Sequence, residues 1–356
     1  MFLHEPIVLD GGLATELETR GEDLNHFLWS ARVLLEKPHV LREVHRDFFE
    51  AGANIATTAT YQASAEGFAK AGLKPTEGEA AVHLALSIAA EEAENARQAR
   101  RTQGGPTGDR GDTNSPTKEK AGDPALVLGS CGPYGAFLAD GSEYRGNYEN
   151  VSVEEIKSFH RWRLGLIESS GTADAVIFET FPDDKEALAA LEVVREFPSL
   201  RGRVVFSFSC LDASTLCCQR PLREAVRTLL HRDGGGAGFV TAVGVNCSSP
   251  FACTGAVVGE SGSCSLREEA RKASGRDVGV FVYPNRGELW NDEEKKFEPT
   301  DPPCPPLESF VPQWLSSGAT AVGGCCRTGP RDVAAVRREL ERWIQTRDRK
   351  GGTGIK

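Results

Sequence analysis

The chain has no apolar run approaching the roughly 18 residues of a membrane-spanning helix, which excludes that class of protein. Basic residues are in deficit: 41 Lys and Arg face 51 Asp and Glu, a formal net charge of −10. A surface that tracks phosphates needs a basic stripe, so nucleic acid is not an expected partner. The first residues, Met1 to Asp10, show no basic region followed by an apolar one. No secretory signal is therefore expected, and a cytoplasmic location is. The glycine-rich stretch 231–238 precedes a strand-like run instead of following one, so it fails as a dinucleotide-binding loop and reads as a flexible linker. What is present is an ordinary globular composition, with 40% hydrophobic and 26% charged residues over 356 positions. That length suits a single α/β barrel with a substantial core and small-molecule chemistry.

There are ten cysteines. In a reducing compartment they stay thiols. Cys210, Cys217, Cys218, Cys253, Cys264 and Cys304 show no partner pattern and read as small buried or loop residues. Three others are placed differently. Cys247 ends Gly-Val-Asn-Cys after the β-prone run 240–245, and Cys325 and Cys326 follow Ala319 to Val322 in Ala-Val-Gly-Gly-Cys-Cys-Arg-Thr-Gly-Pro. Three thiols delivered at the ends of two strands can form three corners of a tetrahedral zinc site, with the fourth position open as in catalytic zinc. The rival pair, Cys217 and Cys218, has no strand-like run beneath it.

Eight apolar, strand-like runs alternate with helical patterns: 7–9, 54–58, 125–129, 175–178, 204–207, 242–245, 278–282 and 319–322. The helical segments fall at 39–51, 76–100, 153–169, 183–196, 221–231, 307–317 and 330–346; the first repeats Val40, Val44, Phe48 and Ala51 along one face. Residues 250–277 are less clearly helical. Near-continuous apolar strands between helices imply a covered parallel sheet. Eight such units point to a (β/α)8 barrel with its chemistry at the C-terminal strand ends; an open doubly wound sheet is the alternative. The barrel is expected over 1–347, with a disordered loop at 101–123, where Gly, Pro, Asp and Lys dominate, and a flexible tail at 348–356. No pattern sets an oligomeric state.

Polar residues just past each strand should converge on one mouth. Asp10, Gly11 and Gly12 form a turn or, functionally, offer a carboxylate and backbone amides to an amino-acid substrate. Thr57, Thr58, Thr60, Tyr61 and Gln62 follow the second strand, and two glycine-rich stretches, 130–135 and 140–146, follow the third. Glu179 directly succeeds four apolar residues; burial without a partner would be costly, so it should face the mouth and a substrate ammonium. Tyr283 ends the seventh strand.

These residues resemble one family nearly end to end. Leu9 to Glu18, Leu28 to Ala31, Gly132 to Ala136, Ala139 to Gly146, Phe178 to Thr180, Gly244 to Cys247, Val282 to Asn285 and Gly323 to Thr328 are similar to zinc-dependent homocysteine S-methyltransferases using S-methylmethionine or S-adenosylmethionine. The resemblance implies one Zn²⁺ per chain on Cys247, Cys325 and Cys326, with homocysteine held by Asp10, Gly11, Gly12, Thr58 and Glu179. A coordinated thiol is deprotonated, and three protein thiolates keep the incoming sulfur electron-rich. Related betaine-using enzymes carry tyrosine where this chain has Gln62, which favours a sulfonium donor. Trp29, Tyr61 and Tyr144 are candidate cation–π partners for it, and Gln62 a further donor contact. The stretches 101–123, 231–238 and 251–275 stand outside the family's core pattern. Two alternatives remain: methylation of selenocysteine or another thiol on the same barrel, and a non-catalytic zinc-binding protein with a fourth protein ligand.

Overall fold

The computed structural model describes residues 2–3, 5–22, 24, 30–103, 123–138, 140–146, 148, 151–234, 238–259, 264–291 and 296–351. Eight parallel strands form the centre: β1 (Ile7–Val8), β2 (Ile55–Thr57), β3 (Leu126–Cys131), β4 (Ala175–Phe181), β5 (Val204–Phe208), β6 (Val240–Asn246), β7 (Gly279–Tyr283) and β8 (Ala321–Val322). Their order is β1-β8-β7-β6-β5-β4-β3-β2. The ends meet through a parallel bridge between Leu9 and Ile55. There the Asn54 amide donates to the Val8 carbonyl at 2.7 Å and the Asp10 amide to the Ile55 carbonyl at 3.1 Å. The (β/α)8 barrel is thus closed, and the open-sheet alternative falls.

Two apolar layers hold it. Inside the barrel, Ile7, Leu9, Ile55, Leu128, Ile177, Val205 and Phe281 pack together. Phe2 plugs the lower end, edge-on to Phe281 with ring centroids 5.0 Å apart. Between strands and helices lies a larger cluster that includes Phe48, Phe178, Phe206 and Trp314. The helices that matter most for the mouth are Val153–Ser170 and Asp184–Val194. A reciprocal capping box of Ser152 and Glu155 starts the first, and left-handed Gly171 ends it. No described helix is long and apolar enough to cross a membrane.

Several expectations shift. The stretch 251–275 is the crossover between β6 and β7, made of helices Pro250–Val258 and Leu266–Ser274, capped by Ser249 and Ser265. The first is buried on most faces, so it has no polar stripe to give it a readable period. Helix Pro75–Gln103 takes in residues 101–103, Asp123 pairs with Asn54 and Arg337, and 104–122 of the expected loop lie outside the described residues. The last helix runs to Gly351, and 352–356 lie outside the description. Of the linker at 231–238, His231 to Asp233 end a helix and 235–237 are not described. A short antiparallel hairpin, Leu289–Asn291 with Lys296–Glu298, was not foreseen.

Candidate active site

Inward positions recur every second residue along a strand. Low in the barrel they are apolar. Two or four residues higher on the same face they become Thr57, Ser130, Glu179, Tyr283 and Cys325, which line a cavity at the C-terminal mouth. The cavity is completed by Asp10 to Thr15, Thr58, Ala59, Tyr61, Glu143, Thr180, Cys247, Gly324 and Cys326.

The three cysteines meet there, their sulfurs all within 4.8 Å of one another. Cys247 Sγ lies 3.6 Å from Cys326 Sγ. Sulfurs about 2.3 Å from a tetrahedral zinc stand about 3.8 Å apart, so this set fits one ion after small rotations. Backbone geometry delivers each thiol. Cys247 leaves β6 in a left-handed conformation, φ 49°. The Cys325 amide donates to the Pro284 carbonyl at 2.8 Å, and the Arg286 amide to the Cys326 carbonyl at 3.1 Å. Thr328 Oγ1 donates to the Cys325 carbonyl at 2.6 Å, fixing the turn.

The glycine pair serves close approach. A Cβ on Gly12 would stand 2.6 Å from the Cys325 carbonyl oxygen, and one on Gly11 2.6 Å from that of Thr328. The Gly12 amide donates to the Thr328 carbonyl at 2.9 Å. It is therefore spent on the cysteine turn, which corrects its expected part in a substrate grip.

Charge in the cluster is uneven. The Cys325 thiol is held well below its usual range because Cys247 and Cys326 donate to its thiolate. Cys247 is raised because it donates to both Cys325 and Cys326, and then by burial. Cys326 also lies high, the pull of Cys247 being outweighed by the neighbouring Cys325 charge and burial. Glu179 is pushed up to about 7, first by burial and then by the charge on Cys325. Its carboxylate accepts a short hydrogen bond from Ser130 Oγ. Asp10 is raised mainly by burial, although it accepts from the Thr57 amide at 2.7 Å and from Thr57 Oγ1 at 3.0 Å. Asp10, Glu143 and Glu179 line the cavity with the thiols, and no Lys, Arg or His does so among the described residues.

Thr58 is committed. Its hydroxyl accepts from the Ser130 amide at 3.0 Å and pairs with Thr60 Oγ1 at 2.7 Å. Thr60 in turn donates to the Ser130 carbonyl, so Thr58 is the donor within the pair. Tyr61 lines the cavity, but Gln62 does not; its amide donates to the Ala136 carbonyl at 3.2 Å. Trp29 and the side chain of Tyr144 lie outside the described residues. Sequence reasoning gave no role to Glu143, Ser130, Tyr283 or Asn246. Tyr283 places a buried hydroxyl beside Glu179, short of hydrogen-bond geometry. Asn246 Oδ1 accepts from the Thr180 amide at 2.9 Å and Ser207 Oγ at 2.7 Å, and its Nδ2 donates to Thr180 Oγ1 at 2.8 Å and lies 4.0 Å from Cys325 Sγ. The available signal for both was their position as last residue of a strand.

One other group of potential ligands occurs among the described residues, Asp183, Asp184 and Cys218. Arg220 Nε already stands 3.0 Å from Asp184 Oδ1, so a cation is in place and the rival cysteine pair makes no comparable site.

A homocysteine S-methyltransferase sequence profile matches residues 7–340. Homocysteine S-methyltransferase from Escherichia coli is 38% identical over 333 residues, covering 93% of this chain and 94% of that protein. Homocysteine S-methyltransferase 2 of Zea mays is 37% identical over 94% of this chain and 90% of its own length. Selenocysteine Se-methyltransferase of Brassica oleracea is also 37% identical, over 94% of this chain and 88% of its length. The crystal structure of the metallated form of the homocysteine methyltransferase MmuM from Escherichia coli matches with TM-score 0.72 at 36% identity, covering 94% of this chain and 96% of that one.

Proposed function

The chain belongs to the homocysteine S-methyltransferase family, and from that premise we propose that Cys247, Cys325 and Cys326 hold zinc and that the methyl donor is a sulfonium, S-methylmethionine or S-adenosylmethionine. The single observation that carries the donor and metal assignments is the cavity itself: three converging thiols and three carboxyls with no basic side chain among the described lining residues. Zinc, when bound, supplies a Lewis acid that keeps the homocysteine sulfur deprotonated at neutral pH.

The protein's own residues do the rest. Glu179 and Asp10 face the homocysteine ammonium, and Ser130 and Thr57 fix the two carboxylates so that little reorganisation accompanies binding. The raised carboxyl pKa values express burial first and the neighbouring negative charge second, and a cation held beside them relieves both. Tyr61 and Glu143 form the wall beside Cys247 and Cys326, where a sulfonium is attracted by both a ring face and a carboxylate. As the sulfur–methyl bond forms, the donor's sulfonium–methyl bond breaks and a neutral thioether leaves. No proton is needed by the leaving group, so the transfer requires no general acid. Alignment of sulfur, methyl carbon and leaving sulfur is then the main contribution of the walls, worth several kcal/mol.

The test supplies homocysteine with S-methylmethionine, S-adenosylmethionine or betaine separately and quantifies methionine. Methionine from a sulfonium donor and none from betaine is expected; the reverse pattern overturns the donor assignment.

A further inference from the structure

Outside the cavity, behind its Tyr61 wall, lies a fully buried set of ionisable groups that the chemistry above does not use. Arg163 and His160 stand one turn apart on helix Val153–Ser170, and Glu186 opens helix Asp184–Val194. Their exposures are 1%, 0% and 0%. Arg163 Nη1 donates to the Tyr61 carbonyl at 2.9 Å, and Nη2 to the Gly132 carbonyl at 2.7 Å. Nη2 also reaches His160 Nδ1 at 3.1 Å. A guanidinium only donates, so Nδ1 is the acceptor and the imidazole proton sits on Nε2. That nitrogen meets Glu186 Oε1 at 2.8 Å and so donates to it. Burial lowers the His160 pKa despite Glu186, leaving the ring neutral between one cation and one anion.

Glu186 also reaches the mouth. Its Oε1 accepts from the Tyr134 amide at 2.6 Å and its Oε2 from the Tyr148 hydroxyl at 2.6 Å. The loop between Tyr134 and Tyr148 carries Glu143, and a Cβ on Gly135 would stand 2.5 Å from the Glu143 amide nitrogen. One relay, Arg163–His160–Glu186, therefore grips the β2 loop at Tyr61, the β3 end at Gly132, and both flanks of the Glu143 loop.

A pair of buried charges is poor value as mere stabilisation, since desolvation offsets most of their attraction. Here each charge is instead spent on loop backbone or on a loop hydroxyl. We propose that Arg163, His160 and Glu186 are positioning residues that fix the Tyr61–Glu143 wall, and with it the orientation of the methyl donor, without touching either substrate. The proposal rests on assigning that wall to the donor.

Steady-state kinetics with homocysteine and the better-used sulfonium donor test it, alongside metal content and thermal unfolding. Wild-type turnover tests the donor assignment; the variants test the relay. In His160→Leu and Glu186→Gln the donor KM should rise at least tenfold, while the homocysteine KM and bound metal stay within about twofold. His160→Gln can accept from Arg163 and donate to Glu186, and should restore the donor KM to within about threefold. Tyr148→Phe removes one peripheral hydrogen bond and should raise the donor KM by about threefold, which keeps the test decisive if the core variants do not fold. A lowered melting temperature with unchanged donor KM in the folded variants, or equal rises for both substrates, overturns the proposal.

Discussion

Glu179 shows how one side chain acquires its properties from its surroundings. It occupies the inward face of β4 next to a left-handed Thr180, φ 62°, where the register with β5 shifts. Burial and the Cys325 charge push its carboxyl up to about 7, so a cation beside it is favoured. Charge-assisted hydrogen bonds contribute about 1.5–3 kcal/mol each. Glu179→Gln should accordingly raise the homocysteine KM by one to two orders of magnitude in steady-state assays, with bound metal unchanged by elemental analysis. The cysteines were legible because each closes an apolar run, and the position of Glu179 followed from the cost of burying it. Gln62 misled for a physical reason. Neighbouring residues in a loop point to different sides, and composition does not say which one faces the cavity; Tyr61 does, while Gln62 binds the Ala136 carbonyl. Glu143 went unassigned for the same reason.

Elements set what such residues can do. Helix Pro38–Glu50 packs against helix Pro75–Gln103, and at their contact His45 is 1% exposed with neither ring nitrogen hydrogen-bonded. Burial depresses its pKa to about 4, with Glu92 opposing the shift. Unfolded, the ring titrates near 6.5. Between these values the unfolded chain binds a proton that the folded protein refuses, so stability falls as pH drops from about 6.5 to 4 and is unaffected by this group above 6.5. The depression corresponds to about 3 kcal/mol over that window. Urea unfolding at a series of pH values should show this slope, and His45→Leu should flatten it. Element legibility varied with environment. Helices with one buried face, such as 38–50, announced themselves by period. Helix Pro250–Val258, buried nearly all round, and the hairpin at 289–298, too short for a period, did not.

For the whole molecule, the closed barrel brings separated strand ends, all but that of β5, into one site. β6 and β8 lie on either side of β7 in the strand order, which is why thiols 78 and 79 positions apart converge. The eight strands were readable because parallel strands buried on both faces are nearly continuous apolar runs. Their closure into a barrel was expected from the count of eight units, whereas the Leu9–Ile55 bridge that completes it and the packing of Phe2 on Phe281 have no sequence signature of their own. The central claim is that this mouth holds zinc on three protein sulfurs with the fourth position left for homocysteine. X-ray absorption at the zinc edge tests it directly on the zinc-loaded protein. Three sulfurs and one lighter atom at rest, becoming four sulfurs when homocysteine is added, is the expected result. Four protein sulfurs at rest, or a spectrum that homocysteine does not change, would contradict it.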